Sequence, residues 1–349
     1  MSSNPFTLAA LATTAVEGLE VVGATEDGSD EHRWVVAAQR ADGETVQVVL
    51  PRSVAALETA QRHVAALAAL TLATRARLPF AVPELLGSAP TGRSTLLVLT
   101  RLGGDTMRLA DVSPARYGLA ASVGRALAAI HELPTSVAAD AGLPHESAAA
   151  MRQSLLDVFD RAAATGRVPA ALLERWERAL GDSRLWQFKP TLVHGDVQAP
   201  AFRVEGADVV GMDGWHALSV GDPARDLAFL LGSSEFGSVD EAFEAHAAER
   251  GIGDRQLRQR AMLHAELDIA RWLLHGVDTG DDAIVADAVD MLEGLVERVD
   301  DDPGAAIAPA HLDTMDLDGV QQYLGAEPGG AGADERGSDA DADAAAVER

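Results

Sequence analysis

The sequence contains no cysteine. That excludes disulfides, thiolate metal sites and cysteine nucleophiles. Lysine is almost missing as well: Lys189 is the only one in 349 residues. Chemistry that needs a lysine elsewhere must use arginine or do without. Positive charge is scarce overall, with 28 Lys and Arg against 54 Asp and Glu and a formal net charge of −26. No basic stripe is present to neutralise phosphates, so nucleic acid is not an expected partner. Such a charge favours solubility and tolerates a cationic small ligand. Uninterrupted apolar runs are also lacking. The stretch from Val54 to Leu72 carries Glu58, Arg62 and His63, so it does not read as a membrane span. The first 22 residues lack the basic start of a secretory leader. A cytoplasmic protein with no membrane partner is the expectation.

What is present suffices for a large core, since 47% of residues are hydrophobic. Short β-branched runs at 19–25, 33–39 and 44–50 predict an antiparallel meander, with Arg40-Ala41-Asp42-Gly43 as a hairpin turn. Helical spacing follows over 53–75, then strands at 84–88 and 94–101. Beyond that the pattern turns mainly helical: 114–132, 145–165, 168–180, 239–250, 254–276 and 280–299. Gly166 stands where a helix C-terminus needs a left-handed residue. Two short strands fit 191–194 and 208–213, and Asp222-Pro223 reads as an N-cap followed by a first-turn proline. After Asp300-Asp301-Asp302-Pro303-Gly304 the character changes, and the last stretch, from Glu327, is Gly, Ala and Asp with too little apolar surface to order itself. One amphipathic island, Thr314 to Leu324, interrupts that tail. It would dock either on its own chain or on a protein partner.

The stretch His194-Gly195-Asp196 directly follows the apolar strand Thr191-Leu192-Val193. An Asp presented on a loop at a strand end can orient a hydroxyl and take its proton, which phosphoryl transfer requires. By itself the triplet is weak, and a loop aspartate that caps a turn is its simpler reading. Its surroundings are more specific. Residues 194–232, HGDVQAPAFRVEGADVVGMDGWHALSVGDPARDLAFLLG, resemble the aminoglycoside and macrolide phosphotransferase family, small-molecule kinases with a protein-kinase-like fold. The element Val220-Gly221-Asp222-Pro223-Ala224-Arg225-Asp226-Leu227-Ala228 carries the resemblance most closely. Leu78–Pro83 and Gly124–Pro134 resemble that family's approach to its fourth strand and its long helix.

The resemblance, which covers roughly residues 7–300, implies an α+β fold of two lobes. These are an N-terminal antiparallel meander plus helix over 1–101 and a larger, mainly helical lobe over 102–300. An acidic tail over 301–349 then bears the short helix near 314–324. It implies Asp196 as the catalytic base, with His194, Asp222 and Asp226 supporting its loop. Thr100, Arg101 and Leu102 fall where the adenine ring of ATP or GTP would meet the inter-lobe hinge. The implied reaction is transfer of the γ-phosphate, with Mg²⁺, to a hydroxyl of an aminoglycoside- or macrolide-like acceptor.

Several family positions are altered. The metal-binding Asn five residues past the catalytic Asp is Ala201. The metal-binding Asp aligns with Gly214, and Asp213 sits one residue early. On a strand that slip would turn the side chain to the opposite face, unless Gly214 permits a bulge that re-aims Asp213 toward the metal. The strand lysine is replaced by Val49, which leaves Glu58 of the next helix without its partner; Arg52 is the nearest cation. The turn that would cover the phosphates, Thr25 to Glu31, carries four carboxylates that would repel a triphosphate. Two readings stay open: a phosphotransferase with an altered metal site built on Asp196 and Asp213, or a pseudokinase that keeps the fold for binding or regulation.

Overall fold

A computed structural model describes residues 4–251, 253–301 and 307. The 314–324 island and the acidic tail lie outside the described residues. The chain opens with helix α1 (Pro5–Ala15), capped by the Asn4 side chain. The meander follows as β1 (Val21–Glu26), β2 (Arg33–Arg40) and β3 (Thr45–Pro51). Helices α2 (Val54–Ala69) and α3 (Leu72–Arg75) lead to β4 (Leu85–Thr91) and β5 (Ser94–Thr100). All five strands form one antiparallel sheet in the order β1-β2-β3-β5-β4.

Alternation along β3 explains how the sheet is covered on both faces. Val46, Val48 and Leu50 pack with Leu8, Ala9 and Ala12 of α1. Val49 points the other way, into a core shared with Ala66 and Leu67 of α2. Sequence pattern gives no expectation for α1, because its small apolar residues lack a contrasting polar face. The expected single helix over 53–75 breaks at Leu70-Thr71. There Thr71 caps α3 through the Thr74 N–H at 3.2 Å. Arg75 fastens the break, donating to the carbonyls of Leu67, Leu70, Val82 and Pro83 at 2.6–2.9 Å.

The second half continues with β6 (Asp105–Thr106), α4 (Leu119–His131), α5 (Ser136–Asp140), α6 (Ala148–Ala164) and α7 (Ala170–Gly181). Then come β7 (Thr191–Val193), β8 (Phe202–Glu205), β9 (Asp208–Met212), β10 (Ser219–Gly221) and α8 (Pro223–Leu227). Helices α9 (Phe236–Arg250), α10 (Leu257–Thr279) and α11 (Asp282–Asp301) follow. Pairing of β10 with β7 sets Val220 opposite Leu192. This ladder brings the loop after β7 beside the start of α8. The main core runs from the inner face of the large sheet through α4, β7 to β9 and α8, and α6, α7, α10 and α11 enclose another. The linker to β4 is tied to β9, since Ala81 exchanges hydrogen bonds with Val210 and Met212 at 2.9 and 3.0 Å. Among the described residues, no helix is long and apolar enough to cross a membrane.

Helices α4 and α9 touch at Gly124, where an added Cβ would stand 2.1 Å from the Ala242 carbonyl oxygen. That oxygen belongs to a helix backbone and cannot give way cheaply. Gly124→Ala is therefore expected to destabilise the fold by about 1–3 kcal/mol. A thermal melt should show a fall of several degrees, and an unchanged midpoint would contradict this packing.

Candidate active site

Strand β7 is buried along its whole length and delivers His194, Gly195 and Asp196 at its C-terminal end. The loop there is held by Asp226, wholly buried on α8. One oxygen of Asp226 accepts the His194 N–H and the other accepts the Gly195 N–H, both at 2.8 Å. His131 of α4 adds a third contact at 3.0 Å. Burial opposes the Asp226 charge, but the His131 hydrogen bond and the neighbouring donors outweigh it and hold the carboxyl below its usual range. A carboxylate only accepts, so His131 carries its proton on Nε2. Its Nδ1 lies 2.9 Å from Nε2 of buried His246 on α9, a hydrogen bond between the two rings. Burial drives His246 down to about 2, so it stays neutral.

Asp222 secures the other end of α8. It caps Ala224 N–H at 3.0 Å and pairs with Arg260 of α10 at 2.9 Å and His264 at 3.2 Å. Burial raises its proton affinity, yet Arg260 overcomes this and keeps Asp222 ionised far below the usual range. Three expected supports of the loop, His194, Asp222 and Asp226, thus meet around one short helix.

Asp196 is presented rather than buried, its side chain 43% exposed. Its Oδ2 lies 3.2 Å from Nε2 of His216. That hydrogen bond, against partial burial, and the nearby charge of Arg225 hold Asp196 below its usual range. It is ionised and able to accept a proton. Asp213 lies past the end of β9, so strand alternation does not govern its side chain. Its N–H bonds to the Ala201 carbonyl at 2.9 Å, and its Oδ1 accepts the Gly214 N–H at 2.7 Å. Gly214 adopts φ +86°, a left-handed turn in place of the bulge considered above. The buried His194 ring points Nε2 at the Asp213 carbonyl, 2.9 Å away, which ties the two loops together.

Two histidines were not singled out from sequence. His216 follows Trp215 in the turn after Asp213, and His63 of α2 places Nε2 3.6 Å from Asp213 Oδ1. Burial lowers the proton affinity of His63, and Asp213 opposes that effect. The available signal for His63 was its place on the helix face shared with Val64 and Leu67, which packs inward.

The nucleotide positions are partly rearranged. Thr100 is occupied by Glu84, whose N–H it accepts at 2.8 Å. Arg101 reaches Asp27 in the β1–β2 turn, with Nε 3.0 Å from Oδ2. Leu102 lies beside Gly211 of β9. The acidic turn spends much of its charge internally. Asp30 accepts two backbone N–H groups at 2.8 Å, Asp27 takes Arg101, and Glu31 lies 3.5 Å from His32. Arg52 is used there too, on the Asp30 carbonyl and over the Trp34 ring. Val49 is buried and apolar, and Glu58 is exposed with no ion pair among the described residues. No three His, Asp or Glu side chains among the described residues converge as a metal site. What remains is one free carboxylate oxygen on Asp213 and the partly exposed Asp196. This donor set fits Mg²⁺ arriving with phosphates, because that ion usually takes one or two carboxylates and keeps its other ligands from nucleotide and water.

A family model described as the phosphotransferase enzyme family matches residues 20–264. The crystal structure of macrolide 2'-phosphotransferase MphH from Brachybacterium faecium, an apoenzyme, is 25% identical with a TM-score of 0.68, covering 82% of this chain and 97% of that one. The GDP complex of aminoglycoside 2'-phosphotransferase-IIIa is 15% identical with a TM-score of 0.69, covering 84% and 98%; at that identity it shows the fold alone. The uncharacterized protein YcbJ of Bacillus subtilis (strain 168) is 33% identical over 76 residues, 22% of this chain and about a quarter of that protein's length, 24%.

The buried histidines set an acid limb for stability. Burial drives His63, His194 and His246 below the ordinary histidine value of ~6.5. The unfolded chain therefore takes up protons that the native one refuses, and stability falls as pH drops through that value. Asp222 and Asp226 add a further loss only below the ordinary carboxylate value of ~3.9. Melting midpoints should fall between pH 7 and 5, and more shallowly in His246→Asn. An equal slope in the variant would contradict a neutral buried His246.

Proposed function

We propose that this chain, which belongs to the phosphotransferase enzyme family, transfers the γ-phosphoryl group of ATP or GTP to a hydroxyl of a small molecule. The observation that carries this reading is the ionised, solvent-facing Asp196 on a loop whose backbone is bracketed by a buried carboxylate. The acceptor hydroxyl meets Asp196, and its O–H bond breaks as its oxygen forms a bond to the γ-phosphorus. The bond from that phosphorus to the bridging oxygen breaks, the nucleoside diphosphate leaves, and the proton rests on Asp196. Asp213, with Asp196, would hold Mg²⁺, which supplies charge neutralisation on the phosphates. Likeness to a macrolide phosphotransferase along nearly that protein's whole length favours a macrolide-like or aminosugar acceptor. The excess of negative charge suits a cationic one.

Val49, Ala201 and the unpaired Glu58 favour a second reading, a pseudokinase that binds without efficient transfer. Both are tested on purified protein by thermal shift with ATP and GTP, with and without Mg²⁺, followed by mass spectrometry of macrolide and aminoglycoside acceptors. Native-state binding raises the midpoint by mass action. The expected outcome is Mg²⁺-dependent stabilisation and a phosphorylated acceptor. Asp196→Asn should lower transfer by about 10²-fold or more, with the Mg²⁺-independent part of nucleotide binding retained. Asp213→Asn should remove the Mg²⁺-dependent part of the stabilisation. Binding without any transfer establishes the pseudokinase reading, and no binding at millimolar nucleotide sinks both.

A further inference from the structure

The pairing of Asp196 with His216 follows from two glycines that let separate loops touch. Gly195 has φ +86°, and a Cβ there would lie 2.3 Å from the Ala217 carbonyl oxygen. The loop after β7 therefore rests directly on the backbone of the Trp215–Ala217 turn. On the other side, Gly214 also has φ +86°, which turns the chain so that Trp215 is wholly buried. Its indole nitrogen donates to the Met212 carbonyl at 2.8 Å, and its ring lies 4.9 Å from His194. With residue 215 anchored inward and 217 pressed against Gly195, residue 216 is left facing Asp196.

On the premise of the proposed phosphotransfer, we infer that His216 is a positioning residue for the reaction: its Nε2–H holds Asp196 Oδ2 and leaves Oδ1 to meet the acceptor hydroxyl. The need for such a holder is physical. A carboxylate 43% exposed would otherwise sample several rotamers, and only those aimed at the acceptor are productive. The neighbouring groups do not do this work. Arg225 is engaged by Asp268 at 2.8 Å, and the His194 ring is engaged by the Asp213 carbonyl. His63 lies against Asp213. His216 is the only side chain recorded in hydrogen-bond reach of the Asp196 carboxylate among the described residues. Its own side chain is 28% exposed, so the contact is not a core constraint on folding.

The test uses the full chain with Mg²⁺ and ATP or GTP, and a macrolide, kanamycin, gentamicin and streptomycin as acceptors. His216→Ala is expected to lower kcat by about 10- to 100-fold, because a small misplacement of a reacting group costs that much. The KM for nucleotide should stay within about two-fold, as His216 is not assigned to nucleotide binding. His216→Gln, whose amide N–H can reach the same oxygen, should restore most of the rate, and it also decides the matter if the alanine variant is poorly folded. Independently of turnover, the ¹⁵N resonances of the His216 ring in nucleotide-free protein should move in Asp196→Ala. Transfer by the wild type with an equal kcat in both His216 variants overturns this inference alone, as do unmoved ring resonances. A wild type that transfers to none of these acceptors and does not hydrolyse the nucleotide overturns it together with the reading on which it rests.

Discussion

The geometry of the site depends on one buried carboxylate. Asp226 is completely enclosed, and its two oxygens take the main-chain N–H groups of His194 and Gly195. A buried ion of this kind is tolerated only while its lone pairs are filled, and losing a partner of a buried pair commonly costs about 3–5 kcal/mol. Here the partners are the backbone of the proposed catalytic loop, so folding and the geometry of that loop become one requirement. The loop cannot drift without leaving a naked charge in the core. The requirement extends outward through His131 to His246, joining α8 to α4 and α9. Asp222 repeats the device one turn earlier, toward α10. Between them, two carboxylates anchor α8 to three long helices, and the loop that bears Asp196 inherits their rigidity.

Asp196, the proposed base, is left out of this frame, as that role would demand. A base that must meet a substrate cannot be buried like Asp226, and its exposure means its orientation has to be set locally. Local setting comes from the two left-handed glycines and the inward Trp215, which place the Asp213 turn under the catalytic loop. Helix α2 also packs on that turn and brings His63 to Asp213. The first lobe is thereby coupled to the candidate metal carboxylate. A lysine–glutamate link to α2 is absent here, and an imidazole reaches across instead.

The sequence made the frame legible because the frame is local. His194-Gly195-Asp196 follows its strand at once, and Asp222-Pro223 caps its helix within a few residues. The meander and most helices show the period expected of them. Less legible were features set by long-range contact. Strands β8 and β10 are only four and three residues long. Their existence depends on partners that local pattern does not show. The face presented by Asp213 could not be read from strand alternation, because β9 ends one residue before it. His216 and His63 are ordinary in sequence and acquire meaning only when loops distant in the chain meet. The acidic β1–β2 turn looked hostile to phosphate, yet three of its carboxylates have partners that include Arg101 and backbone donors from the same turn.

Charge balance then constrains how a nucleotide can enter. Near neutral pH, burial keeps His63 and His194 uncharged, so both act as hydrogen-bond donors or acceptors and not as cations. The guanidinium of Arg225 is shared with Asp268, and that of Arg101 with Asp27. Lys189 precedes β7, at the opposite end of that strand from Asp196. With Val49 in place of a strand lysine, the surroundings of Asp196 and Asp213 hold little uncompensated positive charge. On the proposed reading a bare triphosphate would meet the carboxylates of Asp196 and Asp213, and like charges repel more strongly at the dielectric of a protein cleft than in water. The same two carboxylates would attract a triphosphate that already carries a divalent ion. On the proposed reading, the absence of a strand lysine would make nucleotide recognition more dependent on an accompanying metal, and it would place on Asp213 a burden that Ala201 and Val49 cannot share.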